Sequence, residues 1–380
     1  MAEGPARPRV GFVLPVYERR SGRQMAHHPR LLELLGQDLD VEVLIWKCLD
    51  EPDLPGVTTI WRLSAPGRLR RVLEMWRLVR ARVRDGCRVW YVRSVLFQAL
   101  VAMAAGARTI LWYSGAELPA ERSWLGTRVR RWLLRRIDRV ACAPAFVPYL
   151  RTRYGIAAHR ILTVEYGLDL RRFQPLSAAE RAAAREAAGL LPDRPLLLYV
   201  HALSTGRGAD HLLPVLAQCH AAGLDPLVVA IGSEGDRSAT LEAYAAQHPD
   251  RLRLLGLRPN TEVAAWYGLA DLFLMPSQAE GGPWVILEAM ASGTPLVSTD
   301  VGCVRAWLPP EWVEALVVPV GAPETFAART VAVLADEALR ARLREAFPPR
   351  AALFSCEAAA EQYRAVFTQL ASAAERRTTP

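Results

Sequence analysis

The sequence predicts an α/β protein made of two parallel-sheet domains, each doubly wound, with helices on both faces of its sheet. Two patterns predict this class. Short β-branched or aliphatic runs alternate with longer helical patterns along the whole chain, which is typical of strand–helix–strand units. The predicted strands are also almost continuously hydrophobic, and strands of that kind are buried on both faces.

The predicted strands fall into two groups. In the first half they are Val10–Leu14, Val41–Trp46, Arg88–Val92, Thr109–Tyr113, Arg139–Ala143 and Ile161–Val164. In the second half they are Leu196–Val200, Leu227–Ile231, Leu252–Leu255, Leu272–Met275, Leu296–Thr299 and Leu316–Val318. A chain of 380 residues is long enough for two domains of ordinary size.

We place the first domain at residues 1–173 and the second at 195–355. Between them, 174–194 combines an alanine-rich stretch with Leu-Pro-Asp-Arg-Pro, which is typical of a linker. The simplest architecture is two doubly wound domains that face each other across a cleft, with the ligand at the carboxyl ends of the strands.

The stretch 280–302 carries the strongest functional signal. It predicts a glycine turn after a strand, then a helix, then another strand. Pro283 suits the first helical position, where its missing N–H leaves no hydrogen bond unmade. Gly293 suits the left-handed residue that ends a helix, and Pro295 prevents the helix from continuing.

This turn indicates a ligand that carries both phosphate and hydroxyl groups. The N–H groups at the start of a helix bind phosphate. Glu280 and Glu288 would repel a bare phosphate, but carboxylates accept hydrogen bonds from vicinal hydroxyls. A nucleotide sugar offers both groups. Taken singly, Glu280 is also compatible with an ordinary turn carboxylate, and Glu288 with a solvated helix residue.

The segment Glu280–Gly302 resembles the donor-site motif of retaining GT-B glycosyltransferases of glycosyltransferase family 4 (glycosyl transferases group 1). In that family two glutamates flank seven residues, followed by a small-residue helix end and a Gly-Thr-Pro-Leu-Val-like strand. Weaker matches follow the family order at Gly167–Pro175, Val200–Gly208, Ile231–Gly235 and Leu255–Arg258. The resemblance covers nearly the whole chain. It implies a GT-B fold and a final helix within 356–380 that returns to the first domain.

The resemblance also implies donor-binding roles. Glu280 would hydrogen-bond the hydroxyls of the donor sugar, with the N–H groups of Gly281 and Gly282 nearby. Glu288 would hold the ribose hydroxyls. Arg207 takes the place of a family lysine that meets the donor diphosphate, where a cation is needed because the departing diphosphate gains negative charge.

Two departures from the family pattern affect the donor site. The second family cation, an arginine, is missing, and His201 and Ala202 stand there instead; His201 either supplies the charge or is a structural histidine. The first turn has one glycine, Gly22, where the family has two. The nucleobase would be contacted near Leu257 and Arg258.

On the acceptor side the family histidine at the end of the fourth strand is replaced by Ser114. Glu117 is then the nearest residue able to act as a base. Ser114 is equally compatible with a plain helix N-cap.

We expect no metal ion and no cofactor, with the nucleoside diphosphate sugar as a substrate. The sequence has no Asp-x-Asp cluster, and the adjacent His27 and His28 cannot share one face of a helix or strand.

The charge is uneven. Residues 1–172 carry 30 Lys and Arg against 16 Asp and Glu, a net of +14, whereas the whole chain has +8. In Arg68–Arg84 and Arg128–Arg139 the arginines surround apolar stripes. Either these stripes pack on the sheet with the arginines in water, or the helices contact an anionic membrane surface. No recognised nucleic-acid-binding module is present.

The absence of a signal peptide pattern and of a membrane-spanning stretch predicts a cytoplasmic protein, with a peripheral position at the inner face of a membrane as the alternative. The expected activity is therefore metal-independent hexosyl transfer to a hydroxyl of a glycan or lipid-linked acceptor, in cell-envelope or exopolysaccharide assembly.

Three alternatives stay open. The first is a degenerate GT-B protein that binds a nucleotide sugar, or partners an active subunit, without transfer. The second is an epimerase on the same architecture. The third is a dinucleotide-dependent oxidoreductase, which is disfavoured because no Gly-x-Gly-x-x-Gly follows the first strand.

Overall fold

The computed structural model describes residues 7–18, 28–93, 95–114, 124–165 and 167–375. The chain divides into two compact units: Met1–Gly167 together with Cys356–Pro380, and Leu168–Ser355. None of the helices among these described residues is long and apolar enough to cross a membrane.

The first unit is a parallel sheet covered by helices on both faces. Its strands are β1 (Arg9–Leu14), β2 (Asp40–Ile45), β3 (Val57–Arg62), β4 (Val89–Arg93), β5 (Arg108–Trp112), β6 (Arg139–Cys142) and β7 (Ile161–Thr163). Its helices are α1 (His28–Leu35), α2 (Arg68–Arg84), α3 (Leu96–Ala104), α4 (Trp124–Leu134), α5 (Val147–Tyr154) and, from the end of the chain, α15 (Cys356–Glu375). Among the described residues the strand order is β3-β2-β1-β4-β5-β6-β7.

Alternation along β4 separates the two faces of this sheet, because successive strand residues point to opposite sides. Trp90 belongs to a buried core with residues of α2, α3, α4 and α5. Its neighbour Tyr91 instead contacts the rings of Tyr363 and Phe367 on α15. The final helix α15 also packs on α1.

The second unit repeats this plan. Its strands are β8 (Leu196–Val200), β9 (Leu227–Ile231), β10 (Leu252–Gly256), β11 (Leu272–Met275), β12 (Leu296–Thr299) and β13 (Val317–Val318). Its helices are α6 (Ala178–Ala187), α7 (Leu212–Ala221), α8 (Ser238–Gln247), α9 (Asn260–Leu269), α10 (Trp284–Ala291), α11 (Val304–Trp307), α12 (Val313–Leu316), α13 (Pro323–Ala335) and α14 (Glu337–Ala352). The strand order is β10-β9-β8-β11-β12-β13, all parallel.

The predicted fold class, two Rossmann-like doubly wound α/β units, is confirmed. Every predicted strand is present, with ends shifted by a residue or two. The sequence missed β3, which lies at the edge of the first sheet. Its side chains are only partly buried, so the run Val-Thr-Thr-Ile-Trp-Arg is not continuously hydrophobic.

The predicted linker, 174–194, contains helix α6 and groups with the second unit. Ser177 and Glu180 form a capping box that starts this helix. Arg185 on α6 is buried, and it donates to the carbonyl oxygen of Leu269 (3.0 Å) and to the carboxylate of Asp271 (3.1 Å). The boundary between the units lies after Gly167 rather than after residue 173.

Of the two alternatives for the arginine-rich segment 128–139, packing of its apolar stripe on the sheet does not hold for two residues of that stripe. Val129 and Trp132 do not face the sheet; they are 49% and 54% exposed. Within α4 only Leu134 is buried among the described residues, and Ile137, just beyond the helix, is also buried. The helix therefore contacts its core mainly through its C-terminal end. In helix α2 the outcome is similar: Val79 is buried in the core together with Met75, whereas Leu69 and Leu73 are 85% and 44% exposed.

Candidate functional site

The candidate site lies where β8 and β11 end side by side in the second unit. These neighbouring strands are the point at which the strand order reverses, since β9 and β10 lie on one side and β12 and β13 on the other. Ligands of doubly wound sheets bind at the carboxyl ends of such strands. The loop 201–208 follows β8, and the turn 276–283 follows β11.

Glu280 is the centre of a hydrogen-bonded cluster. Its Oε1 accepts from Nε2 of His201 (3.0 Å), from the hydroxyl of Ser277 (3.2 Å) and from Nη1 of Arg207. The same Arg207 nitrogen donates to the carbonyl oxygen of Ala279 at 3.0 Å. The Glu280 side chain is only 12% exposed, so three donors hold its carboxylate in one orientation.

These donors keep the Glu280 carboxylate ionised. Burial by itself raises the pKa of Glu280, but the hydrogen bonds and charges of His201 and Arg207 together outweigh burial, so the pKa lies below its ordinary value. At neutral pH the group is an acceptor of hydrogen bonds and not a donor.

The geometry of His201 fixes its tautomer. Nδ1 accepts the backbone N–H of Ala202 over 2.8 Å. Nε2, the atom that faces Glu280, therefore carries a proton. His201 thus donates from Nε2 and orients the carboxylate.

The loop that carries Arg207 is fixed from beneath and from one side. The buried hydroxyl of Tyr199 contacts the carbonyl oxygens of Ala202 (2.7 Å) and Arg207 (3.2 Å). On its outer side the backbone N–H and hydroxyl of Thr205 donate to Asp236, at 2.9 and 2.6 Å.

Gly208 allows this loop to lie against the end of β11. Its φ is +74°, and a Cβ at this position would lie 2.1 Å from the carbonyl oxygen of Pro276. Only glycine combines the left-handed backbone with so close an approach. Arg207 is placed beside Glu280 because the following residue has no side chain.

The helix after the turn carries the second predicted glutamate. Helix α10 begins at Trp284, so Pro283 is its N-cap and not its first residue; its φ of −75° and ψ of 98° are extended rather than helical. Gly293 has the expected left-handed φ of +67°.

Glu288 projects from α10 toward a buried tyrosine. Its Oε2 accepts the hydroxyl proton of Tyr267 over 3.0 Å. The Tyr267 ring packs against the rings of Phe173 and Phe273 and is fully buried. Burial raises the pKa of Tyr267 well above its ordinary value, so its hydroxyl remains a donor.

The remaining predicted residues are more dispersed. Gly281 is buried and Gly282 half-buried in the turn beside Glu280. Leu257 and Arg258 are exposed at the end of β10, where Arg258 lies 3.7 Å from the carboxylate of Glu262.

In the first unit Ser114 is half-buried two residues beyond β5. Glu117 and Gly22 lie outside the described residues.

The sequence did not identify Ser277 or Tyr267 as site residues. Ser277 is a buried polar residue just beyond the end of β11, and a polar residue directly after a hydrophobic strand was the available signal. Tyr267 had no such signal, because an aromatic residue within a helix such as α9 is expected to be an ordinary core residue.

A cluster of metal-ligand type is not found here: in the described ranges no group of three or more His, Cys, Asp or Glu side chains is arranged to hold a metal ion.

Comparison with known proteins finds a family model that matches the part of the chain carrying the site. Residues 180–348, which include the whole Glu280 cluster and Glu288, match the family described as Glycosyl transferases group 1. The chain is 30% identical over 241 residues to the D-inositol 3-phosphate glycosyltransferase of Jonesia denitrificans, covering 60% of this chain and 56% of that protein. The chain thus spans little more than half the length of this relative.

Solved structures match over almost the entire chain. Sucrose-phosphate synthase from Thermosynechococcus elongatus superposes with a TM-score of 0.77 at 23% identity, covering 97% of this chain and 100% of that one. HepE from Anabaena, solved in complex with UDP and glucose, gives a TM-score of 0.77 at 16% identity, covering 96% and 100%. At these identities the likeness concerns the fold. Residues 180–348 thus match the Glycosyl transferases group 1 model, and the fold is of the GT-B type.

Proposed function

We propose that the protein is a retaining glycosyltransferase of family 4 that moves a sugar from a nucleoside diphosphate donor to a hydroxyl acceptor. The observation that carries the proposal is the arrangement around Glu280. An ionised, oriented carboxylate lies beside a guanidinium, at the carboxyl ends of the two central strands of a Glycosyl transferases group 1 domain.

Each group has a role that its chemistry supports. The Glu280 carboxylate accepts hydrogen bonds from the sugar hydroxyls. Arg207 offers a planar pair of donors to the diphosphate, whose negative charge grows as the glycosidic bond breaks. Glu288, oriented by Tyr267, accepts from the ribose hydroxyls.

Two structures of one similar protein support a nucleotide-sugar donor. HepE has been solved with UDP and glucose, and separately with UDP-glucose. Retention is supported by the resemblance of the two-glutamate motif to that of family 4. We propose further that no metal ion is needed, because Arg207 supplies the positive charge beside the diphosphate.

A second candidate is a nucleotide-sugar-binding protein that does not catalyse transfer. One specific observation favours it: Arg207 is engaged by Glu280 and by the carbonyl oxygen of Ala279, and Ala202 provides no second cation. The named glycosyltransferases among the relatives favour the active enzyme.

Thermal shift and turnover together test both candidates. The purified wild-type protein is titrated with UDP, GDP, ADP and dTDP. The same titrations are then repeated on the Glu288→Ala variant. A ligand at about 100 times its dissociation constant should raise stability by about 2.7 kcal/mol. The proposal expects one nucleotide to stabilise the wild type and not the variant, together with slow hydrolysis of the matching donor.

The possible results separate the candidates. Stabilisation without hydrolysis or transfer would favour the binding protein, and no stabilisation by any nucleotide would overturn both. Activity that survives EDTA supports metal independence, and the anomeric configuration of the product, read by NMR, tests retention.

A further inference from the structure

Helix α4 exposes an apolar and aromatic face in the first unit. Trp124 is 72% exposed, Leu125 63%, Trp132 54% and Val129 49%. These residues recur at helical spacing, so they lie along one side of the helix. Together with Arg128 and Arg131, both exposed, we call this face the α4 surface.

Arginines are interleaved with the aromatic rings on this surface. The guanidinium of Arg128 lies 4.8 Å from the centre of the Trp124 ring. That of Arg136 lies 3.4 Å from the centre of the Trp132 ring. Each tryptophan therefore presents a ring and a positive charge together.

The surroundings of the α4 surface are also basic. Residues 124–137 contain five arginines and no acidic residue. Residues 147–160, on and after α5, contain three more arginines and again no acidic residue. Arg153 of α5 donates to the hydroxyl of Thr127 over 3.1 Å, which joins the two helices into one patch. Among the described residues, Arg128, Arg131 and Arg136 form no ion pair with a carboxylate.

We propose that the α4 surface binds an anionic lipid bilayer. Tryptophan rings are stable at the level of the lipid headgroups, where one edge is apolar and the other wet. Leu125 and Val129 would reach the start of the acyl region, and the arginines would contact headgroup phosphates. The core of a protein interface is depleted in charge, whereas this face alternates charge with apolar side chains throughout.

Vesicle flotation tests the proposal without any donor or acceptor. The full-length protein is mixed with vesicles of equimolar phosphatidylcholine and phosphatidylglycerol, or of phosphatidylcholine alone. We expect binding to the anionic vesicles, little to the neutral ones, and weaker binding in high salt, because surface charge is screened. Absence of binding to the anionic vesicles overturns the proposal.

Substitutions locate the contact. The double variant Trp124→Ala/Trp132→Ala and the charge reversal Arg128→Glu/Arg131→Glu should each weaken vesicle partition by about ten-fold or more. The matched control is Leu353→Ala, a residue in the second unit that is 57% exposed; this variant should bind vesicles as the wild type does. All substituted side chains are exposed, and circular dichroism verifies folding.

The same variants also test two other occupants of the α4 surface, a second copy of the chain and a nucleic acid. If the tryptophan variant floats with vesicles as well as the wild type, the α4 surface is not the contact. Wild-type dimerisation that the variant abolishes, or displacement from vesicles by single-stranded RNA, would replace the lipid with a second copy or a nucleic acid. Nucleotide stabilisation should be the same in every variant, because this inference does not rest on the donor site.

Discussion

His201 donates its Nε2–H to Oε1 of Glu280 over 3.0 Å, across 79 positions of sequence. The contact exists because β8 and β11 are neighbours in the sheet and both chains turn at the same edge. Arg207 reaches the same oxygen. The carboxylate that we propose for the sugar and the cation that we propose for the diphosphate are thus one hydrogen-bonded group.

Removal of the Arg207 charge should weaken nucleotide binding. In Arg207→Ala the diphosphate loses a charge-assisted pair of donors, and the dissociation constant of the preferred nucleotide should rise by about ten-fold or more. Arg207→Lys should recover part of the affinity, since it restores the charge without the planar fork. Isothermal titration measures both. The control is Arg342→Ala, an exposed arginine on α14; equal losses in Arg207→Ala and this control would contradict the assignment.

Tyr267→Phe isolates the role of Tyr267 in orienting Glu288. The ring contacts with Phe173 and Phe273 persist, and only the hydrogen bond to Glu288 is lost. The free energy of unfolding should fall by about 0.5–1.5 kcal/mol. Affinity for the nucleoside diphosphate should fall more than affinity for the corresponding free diphosphate, because ribose contact alone is disturbed. Titration with both ligands checks this; an equal loss for both would argue against a ribose contact.

Gly208→Ala should disturb both folding and the site. The new methyl group would lie 2.1 Å from the carbonyl oxygen of Pro276 in a backbone with φ +74°. We expect a loss of about 2–4 kcal/mol in the free energy of unfolding, together with lost nucleotide binding as Arg207 moves. Gly206→Ala is the matched control in the same loop, because nothing lies within 4 Å of its Cβ position. Chemical denaturation compares the two, and similar stabilities would falsify the account of this loop.

Acid should destabilise the first unit through Glu42. This side chain is 1% exposed and paired with Arg82 and Arg9. Burial raises the pKa of Glu42, but the hydrogen bond and charge of Arg82 and the charge of Arg9 outweigh it and hold the pKa below its usual value.

Because the folded pKa of Glu42 is lower than the unfolded one, the ionised group stabilises the fold above the unfolded value of about 4.3 and loses this contribution as pH falls through the folded pKa. Glu42→Gln should therefore lower stability at neutral pH and flatten its acid decline. Glu51→Gln is the control, since Glu51 is paired with Arg62 but 80% exposed, and its pair is screened by water. The test is to measure the denaturation midpoint of each protein from pH 7 to pH 3. If the midpoints of the wild type and of Glu42→Gln fall in parallel with pH, this prediction is contradicted.

The sequence by itself determined the fold class, and it named the residues of the candidate site as a prediction. Ten of the twelve predicted strands are buried along almost their whole length, and such strands could be located because a strand buried on both faces must be hydrophobic throughout, which is a local property. The edge strand β3 was not predicted because the side chains on one of its faces are not covered by other residues. Glu280 and Glu288 were named because they lie in a turn and helix start with a local signal, and Arg207 because its loop resembles a family segment that carries a lysine there.

Tertiary structure alone decided how those residues meet. No local pattern shows that His201 and Arg207 share an oxygen of Glu280, because the contact depends on which strands are neighbours in the sheet. No local pattern shows that Tyr267 lies beneath Glu288, because one is on α9 and the other on α10. The same holds for α4: its periodicity shows that an apolar face exists, but only the packing of its C-terminal end leaves Trp124 and Trp132 facing outward.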